Sequence, residues 1–360
     1  MDCSRGFGYF PDEVILQILA RLPIKFLYRA KSVCKRWYNL SSCEYFVKVY
    51  DEASVRRSMV LVEVSELSDS IPSFICVERS WGVSELSLNF LRDRIDVRSS
   101  CNGLLCCSSV PDKGVYYVCN PITREFKVLP RNRAGPINPF HPSDEATLVG
   151  LACDVGSRTY SVVLAGYRRM FGHRPDGSFV CFVFDSRSDK WRKFISMRDD
   201  RFGQIHKNQG VFVSGAVHWL TDSPSCILAI DLQYDVCRKV CLPEQLNEHG
   251  HRIYLLELDG RLSVVEILEN WMNIWVLKCY EAEIWELLDR VSLRCIQGLA
   301  PGIFPISQSE DYMFFTTRKQ VLLYNRKRRT WKEMYSVKNG SVLPLWYKAH
   351  AFRSSLFSCS

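Results

Sequence analysis

The 360-residue sequence contains no Cys-x-x-Cys pair, no His-Glu-x-x-His, no Gly-x-Ser-x-Gly, and neither a P-loop nor a dinucleotide-binding glycine pattern. Those gaps remove the local signatures of zinc ribbons, zincin proteases, serine hydrolases and nucleotide-binding enzymes. No sialidase-type Asp box is present either: "DSRSDKW" and "NRKRRTW" lack its glycine and its order. No apolar run approaches the roughly 18 residues of a membrane span. The start at Met1-Asp2, followed by an apolar run broken at Gln17, does not read as a secretory signal. The expectation is therefore no membrane, no metal and no cofactor, with an address in the cytoplasm, the nucleus or both.

What the chain does have in quantity is cysteine, 16 in all. Most sit inside apolar runs such as "LLCC", "FVCFVF" and "YYVCNP". There they act as small hydrophobes, and in a reducing compartment they are expected to be free thiols. Net charge is +8, but the basic residues are scattered and no nucleic-acid motif accompanies them, so no nucleic-acid partner is expected. The densest basic cluster, "NRKRR" at 325–329, reads as a solvated turn between two strands in preference to a nuclear localisation signal. His249 and His251 could chelate a metal as alternating strand positions, but their Asn-Glu-His-Gly context reads as a loop. His218, beside Trp219 in a repeat strand, reads as a core or rim residue.

The first organised segment is "FPDEVILQILARLP", residues 10–23. Pro11 suits the first turn of a helix, and Asp12 and Glu13 favour the positive end of its dipole. Val14, Ile18 and Leu22 recur every four residues with Ile15 and Leu19 beside them, one apolar stripe that Pro23 ends. "IKFLYRAKSVCKRWYNL" predicts two shorter helices, with Leu27 and Ala30 on one face of the first and Val33, Trp37 and Leu40 on one face of the second. Three short helices in about 40 residues lie near the lower limit for an independent core. Apolar side chains left over would form an exposed patch of the kind that marks an interaction site.

This stretch resembles an F-box, the module through which substrate receptors dock on the Skp1 adaptor of cullin-based ubiquitin ligases. The resemblance is carried by Phe10-Pro11, the helix ending in Leu22-Pro23, Leu27, and Val33-Cys34-Lys35-Arg36-Trp37; Phe10 stands where Leu is usual. It implies that Pro11, Ile15, Ile18, Leu19, Leu22, Pro23, Leu27, Val33 and Trp37 build the face toward Skp1 or the small core that shapes it.

Behind residue 58 the pattern changes to short alternating apolar runs, which signals an all-β region. It also repeats. "VCNPITREF", "VFDSRSDKW", "AIDLQYDVC", "LKCYEAEIW" and "LYNRKRRTW" each combine a strand, a polar turn and an anchor six residues on. The turn positions Asn120, Asp185, Asp231, Cys279 and Asn325 are 65, 46, 48 and 46 residues apart, the long first interval holding the Pro-rich "PRNRAGPINPFHPSDEA". "SCNGLLCCSS", "GVFVSGAVHWLT", "IYLLELDGRLSVVEI" and "ISQSEDYMFFTT" read as inner strands. Such a period points to propeller blades. Five units span roughly 98–130, 147–195, 205–243, 251–291 and 305–337, and a sixth combines 59–90 with the final "YKAHAFRSSLFS", which would close the ring.

The region resembles the kelch-like F-box-associated domain of plant F-box proteins through "SCNGLLCC", "YVCNPITREFKVLP", "GVFVSGAVHWLT" and "AHAFRSSLFS". It departs from true kelch repeats in having no Gly-Gly pair, and from WD40 arrays in having no Trp-Asp pair among nine tryptophans. The expected architecture is an α module at 1–50 (core about 10–50) followed at 51–360 by a β-propeller of six blades. The resemblance implies a non-enzymatic substrate receptor that binds a Skp1-like adaptor, through it cullin, and an unidentified target protein. The alternative is a propeller enzyme or ligand sensor with a helical N-terminal extension.

Overall fold

The computed structural model describes residues 10–54, 59–64, 73–91, 93–110, 115–131, 147–169, 175–198, 209–221, 226–246, 252–296, 298, 302–337, 343 and 348–359. Four helices come first: α1 (Asp12–Ala20), α2 (Ile24–Lys31), α3 (Lys35–Ser42) and α4 (Glu44–Ser54). Pro11 and Pro23 each sit one residue before a helix, at φ near −58°, where a missing N–H costs nothing. Their carbonyls accept from the first-turn amides: Val14 and Ile15 for Pro11, Phe26 and Leu27 for Pro23.

The fourth helix is a correction to the three-helix expectation, and it runs across residue 50. Its cause is legible afterwards: Phe46, Val49, Tyr50 and Ala53 lie at helical spacing, and the first three are buried. With Ile15, Leu16, Leu19, Ala20, Leu27 and Ala30 they make one small core.

The remainder is six four-stranded antiparallel sheets. Five are consecutive in sequence. The first holds β4 (Arg94–Cys101), β5 (Leu104–Val110), β6 (Tyr116–Asn120) and β7 (Glu125–Val128). The second holds β8 (Leu148–Asp154), β9 (Thr159–Arg169), β10 (Pro175–Asp185) and β11 (Lys190–Arg198). The third holds β12 (Val211–Val213), β13 (Ala216–Leu220), β14 (Cys226–Asp231) and β15 (Val236–Cys241). The fourth holds β16 (Arg252–Leu258), β17 (Arg261–Ile267), β18 (Trp271–Cys279) and β19 (Ile284–Ser292). The fifth holds β20 (Phe304–Gln308), β21 (Tyr312–Thr316), β22 (Gln320–Asn325) and β23 (Thr330–Ser336). The sixth joins β1 (Met59–Val64), β2 (Ser73–Glu78) and β3 (Gly82–Leu86) to the C-terminal β24 (Ala349–Phe352). β24 pairs with β1 through Met59↔Phe352 to Val62↔Ala349, so the chain ends close one ring. The innermost strands β4, β8, β12, β16, β20 and β24 each touch the next around the axis. This is the expected six-bladed propeller.

The repeat seen in the sequence is a turn geometry. Asn120, Asp185, Asp231, Cys279 and Asn325 each end the third strand of a blade, and the residue four further on is left-handed: Arg124, Asp189, Asp235, Glu283 and Arg329, with φ between 51° and 61°. Where the first position is Asn or Asp, its Oδ1 accepts turn amides, from Ile122 and Thr123, from Arg187, from Gln233 and Tyr234, and from Arg328. The anchor then pairs across the hairpin, as in Phe184↔Trp191 and Tyr324↔Trp331. Inner hairpins instead use two-residue left-handed turns, Asn102-Gly103, Ser214-Gly215 and Asp259-Gly260. The segments expected to be inner strands therefore carry the first and second strands of their blades.

Candidate functional site

Helix α1 divides its apolar stripe. Ile15 and Leu19 are buried at 2% and 0%, whereas Val14 and Ile18, one turn apart on the adjoining flank, are 40% and 46% exposed. Arg36 ties the N-terminus of α1 to that of α3: its guanidinium donates to Asp12 Oδ1 at 2.6 Å and to the Phe10 carbonyl at 2.9 Å. That link connects the two ends of the F-box-like sequence, Phe10-Pro11 and Val33 to Trp37.

The nine residues singled out from the sequence therefore fall into groups. Pro11, Ile18 and Val33 are exposed, Leu22 and Trp37 are half-buried, and Ile15, Leu19, Pro23 and Leu27 are interior. Two further apolar side chains open to solvent, Phe10 and Val14, belong with the exposed group. Val14 was legible in the four-residue spacing with Ile18. Tyr38 and Tyr45, also exposed, carried no periodic signal.

Another side of the module faces the propeller. Phe26 lies 5.4 Å from Trp81 in the β2–β3 turn, and the Tyr28 hydroxyl donates to the Ile122 carbonyl in the β6–β7 turn. Loss of solvent, and then the nearby Glu125 charge, push the Tyr28 hydroxyl's pKa upward. From α4, Asp51 Oδ1 accepts the Leu356 N–H at 3.1 Å, Tyr50 Oη meets Ser354 Oγ at 3.3 Å, and Leu356 packs on the helical core. Desolvation raises the Asp51 carboxyl to about 6, outweighing that hydrogen bond and Arg158.

The tail that α4 rests on, residues 353–359, lies in turn on the propeller. Asn120, fully buried, donates to the carbonyls of Ser355 and Phe357 at 3.0 and 2.8 Å, and Tyr160 Oη donates to that of Cys359 at 3.0 Å. Gly103 passes beneath at φ +82°, where a Cβ would stand 2.8 Å from the Arg353 carbonyl.

The other candidates resolve as follows. His218 is fully buried, bonded through Nε2 to Tyr280 Oη at 2.6 Å and through Nδ1 to the Val211 carbonyl, and burial lowers it to about 4. It belongs to the packing between blades. His249 and His251 lie outside the described residues. "NRKRR" forms the β22–β23 turn, with Arg326 and Arg329 on Asp289 and Lys327 on Asp311. The 15 cysteines among the described residues are free, and burial pushes the Cys76 and Cys106 thiols up to about 12. Among the described residues no group of three His, Cys, Asp or Glu could hold a metal, and no helix is long and apolar enough to cross a membrane.

Two family models match this arrangement. Residues 7–48 match an F-box-like model, and residues 56–356 match the F-box associated beta propeller domain. The chain belongs to the F-box-associated β-propeller family. An F-box protein of Arabidopsis thaliana, At5g49610, is 56% identical over all of both chains. Two further relatives from that plant are more distant. The putative F-box protein At1g33530 is 29% identical over 77% of this chain and 61% of its own length. The putative F-box/kelch-repeat protein At1g12870 is 28% identical over 79% and 71%. Among solved structures, the nidogen/laminin complex aligns over 83% of this F-box-family chain and 99% of its own, at 9% identity and a TM-score of 0.47.

Proposed function

We propose that the protein is the substrate-recognition subunit of a Skp1–cullin–F-box ubiquitin ligase, acting in the cytoplasm or nucleus. The observation that carries this reading is the exposed Phe10–Val14–Ile18–Val33 group on a module whose other side is seated on the propeller. An apolar face so placed suits a helical adaptor, and the remaining charges near it, Glu13 and the Asp12–Arg36 pair, suit a polar rim. The receptor makes and breaks no bonds. It raises the local concentration of its target beside a ubiquitin-charged enzyme.

The helices occupy the end of the propeller that carries the short turns at 102–103, 121–124 and 79–81. The strand ends Val128, Leu148, Arg198 and Val211 lie at the other end, joined in sequence by longer stretches. We assign target binding to that other end, where loops can vary without disturbing the blades. Co-expression with a plant Skp1-like adaptor tests the reading: a stoichiometric complex on gel filtration is expected, and two separate peaks at micromolar concentration would overturn it.

A further inference from the structure

Helix α2 carries Lys25, Arg29 and Lys31 and no acidic residue. Lys25 and Arg29 stand one turn apart on the side of the helix away from the buried Leu27, with Phe26 and Tyr28 on either flank of them. Both rings reach the propeller, Phe26 against Trp81 and Tyr28 at the Ile122 carbonyl, so the two cations border the seam between the helix and the turns at 79–81 and 121–124. These contacts do not use up the rings: Phe26, Tyr28 and Trp81 are 39%, 46% and 55% exposed. Arg29 and Lys31 lie 5.7 and 5.6 Å from the Phe26 and Tyr28 ring centres, and Arg124, two residues beyond Ile122, lies 5.9 Å from that of Phe90. Unlike Arg36, Lys127, Arg192 and Lys348, none of the four cations Lys25, Arg29, Lys31 and Arg124 forms an ion pair among the described residues. Burial lowers the Lys31 ammonium, and no carboxylate offsets that cost.

We propose that this seam is a docking surface for an acidic peptide segment of a partner protein, one that carries an aromatic or aliphatic side chain among its carboxylates. The carboxylates supply the missing counter-charge, and the apolar side chain lies on Phe26 and Trp81. Exposed rings rimmed by unpaired charge of one sign are what such a segment complements, and aromatic residues and Arg are the types on which interfaces draw. A nucleic acid fits less well. Phe26 and Trp81 turn toward each other, 5.4 Å apart, instead of offering free faces to bases, and Glu125, whose charge acts on Tyr28, would meet the phosphates. The surface uses none of Phe10, Val14, Ile18 and Val33, so it stands or falls apart from the ligase reading.

The probe is a short fluorescein-labelled peptide of Asp, Glu and Gly with one central Trp, titrated with the full-length protein, without adaptor, while its anisotropy is followed. Saturable binding is expected that weakens as salt rises and falls about tenfold or more when Asn and Gln replace Asp and Glu. A Lys25→Glu, Arg29→Glu double variant should bind about tenfold more weakly or worse, with its Tm unchanged because both side chains are exposed. The neutral pair Lys25→Gln, Arg29→Gln should fall between that variant and the wild type. Arg328→Glu with Lys332→Glu makes the same charge change on exposed residues of the β22–β23 hairpin and should leave binding as it was, which separates a local surface from attraction to the net charge of +8. No binding, equal binding of the amide peptide, wild-type affinity in the Lys25→Glu, Arg29→Glu variant, or equal loss in both charge-reversed variants would overturn the proposal. So would an oligothymidylate that displaces the peptide and binds more tightly, which would mark a nucleic-acid surface.

Discussion

Ile18 and Leu19 are neighbours in sequence and opposites in consequence. Ile18 is nearly half exposed, so Ile18→Asp should move folding stability by no more than about 0.5 kcal/mol. Buried under an adaptor, the same carboxylate would have to be desolvated, so a pull-down of the Skp1-like partner should fall to background. Leu19 is fully buried, and Leu19→Ala should cost about 2–5 kcal/mol. Circular dichroism melting alongside the pull-down separates the two: if Ile18→Asp retains the adaptor, the assigned face is wrong. Titration gives a second residue-scale test. Burial lowers His218 and His350 to about 4, against about 6.5 in an unfolded chain. Each therefore contributes stability that is present above pH 6.5 and lost as pH falls toward 4. Asp51, raised to about 6, acts in the opposite sense, its contribution fading as pH rises through 6. Two histidines against one carboxyl leave acid as the destabilising direction. A His218→Gln, His350→Gln double variant should show a flatter dependence of Tm on pH between 6.5 and 4, even where its absolute Tm is lower.

At the scale of elements, the sixth blade depends on four residues of β24 hydrogen-bonded to β1. Lys348, just before that strand, holds Glu63 at 3.0 Å and Asp96 at 2.8 Å, clipping it to β1 of its own blade and to β4 of the next. Removing residues 349–360 should leave β1 as an open edge, and the shortened protein should melt lower and aggregate on heating. Unchanged melting would count against closure. Gly103→Ala is a gentler probe of the tail alone, since a side chain there meets both a left-handed backbone and the Arg353 carbonyl; a drop in Tm is expected with the sheets intact. The blades were legible in sequence because their turns repeat a chemistry, an Asx acceptor and an anchor six residues on. The tail was not, because "RSSLFS" has no period and its burial rests on partners such as Asn120, 235 residues away from Ser355. Helix α1 shows the same limit. Its stripe is wide enough to include both Ile15 and Ile18, and only the packing of α4 decides which of them faces inward.

In the whole molecule, the helical module and the propeller meet through the tail rather than only through the segment joining them in sequence. A fragment cut at residue 52 would sever α4 and discard Asp51 and Tyr50, which hold Leu356 and Ser354. A propeller fragment beginning at 56 should therefore fold but melt below the full chain. Restoring α4 by starting at 44 should recover only part of the difference, because the remaining helical core is missing. If both fragments melt with the full-length protein, the contact carries no energy. The position of β24 also has a consequence in time. Its partner strand β1 is made long before residues 349–352 and waits for them. At about 5–20 residues per second the ribosome takes tens of seconds to bridge that interval. Throughout it, the β1 edge stands open and the tail on which α4 rests does not yet exist. A nascent chain, or one cut short before residue 349, can carry a formed helical module that no complete propeller supports, so the exposed apolar face is held in place only once residues 349–359 have been made.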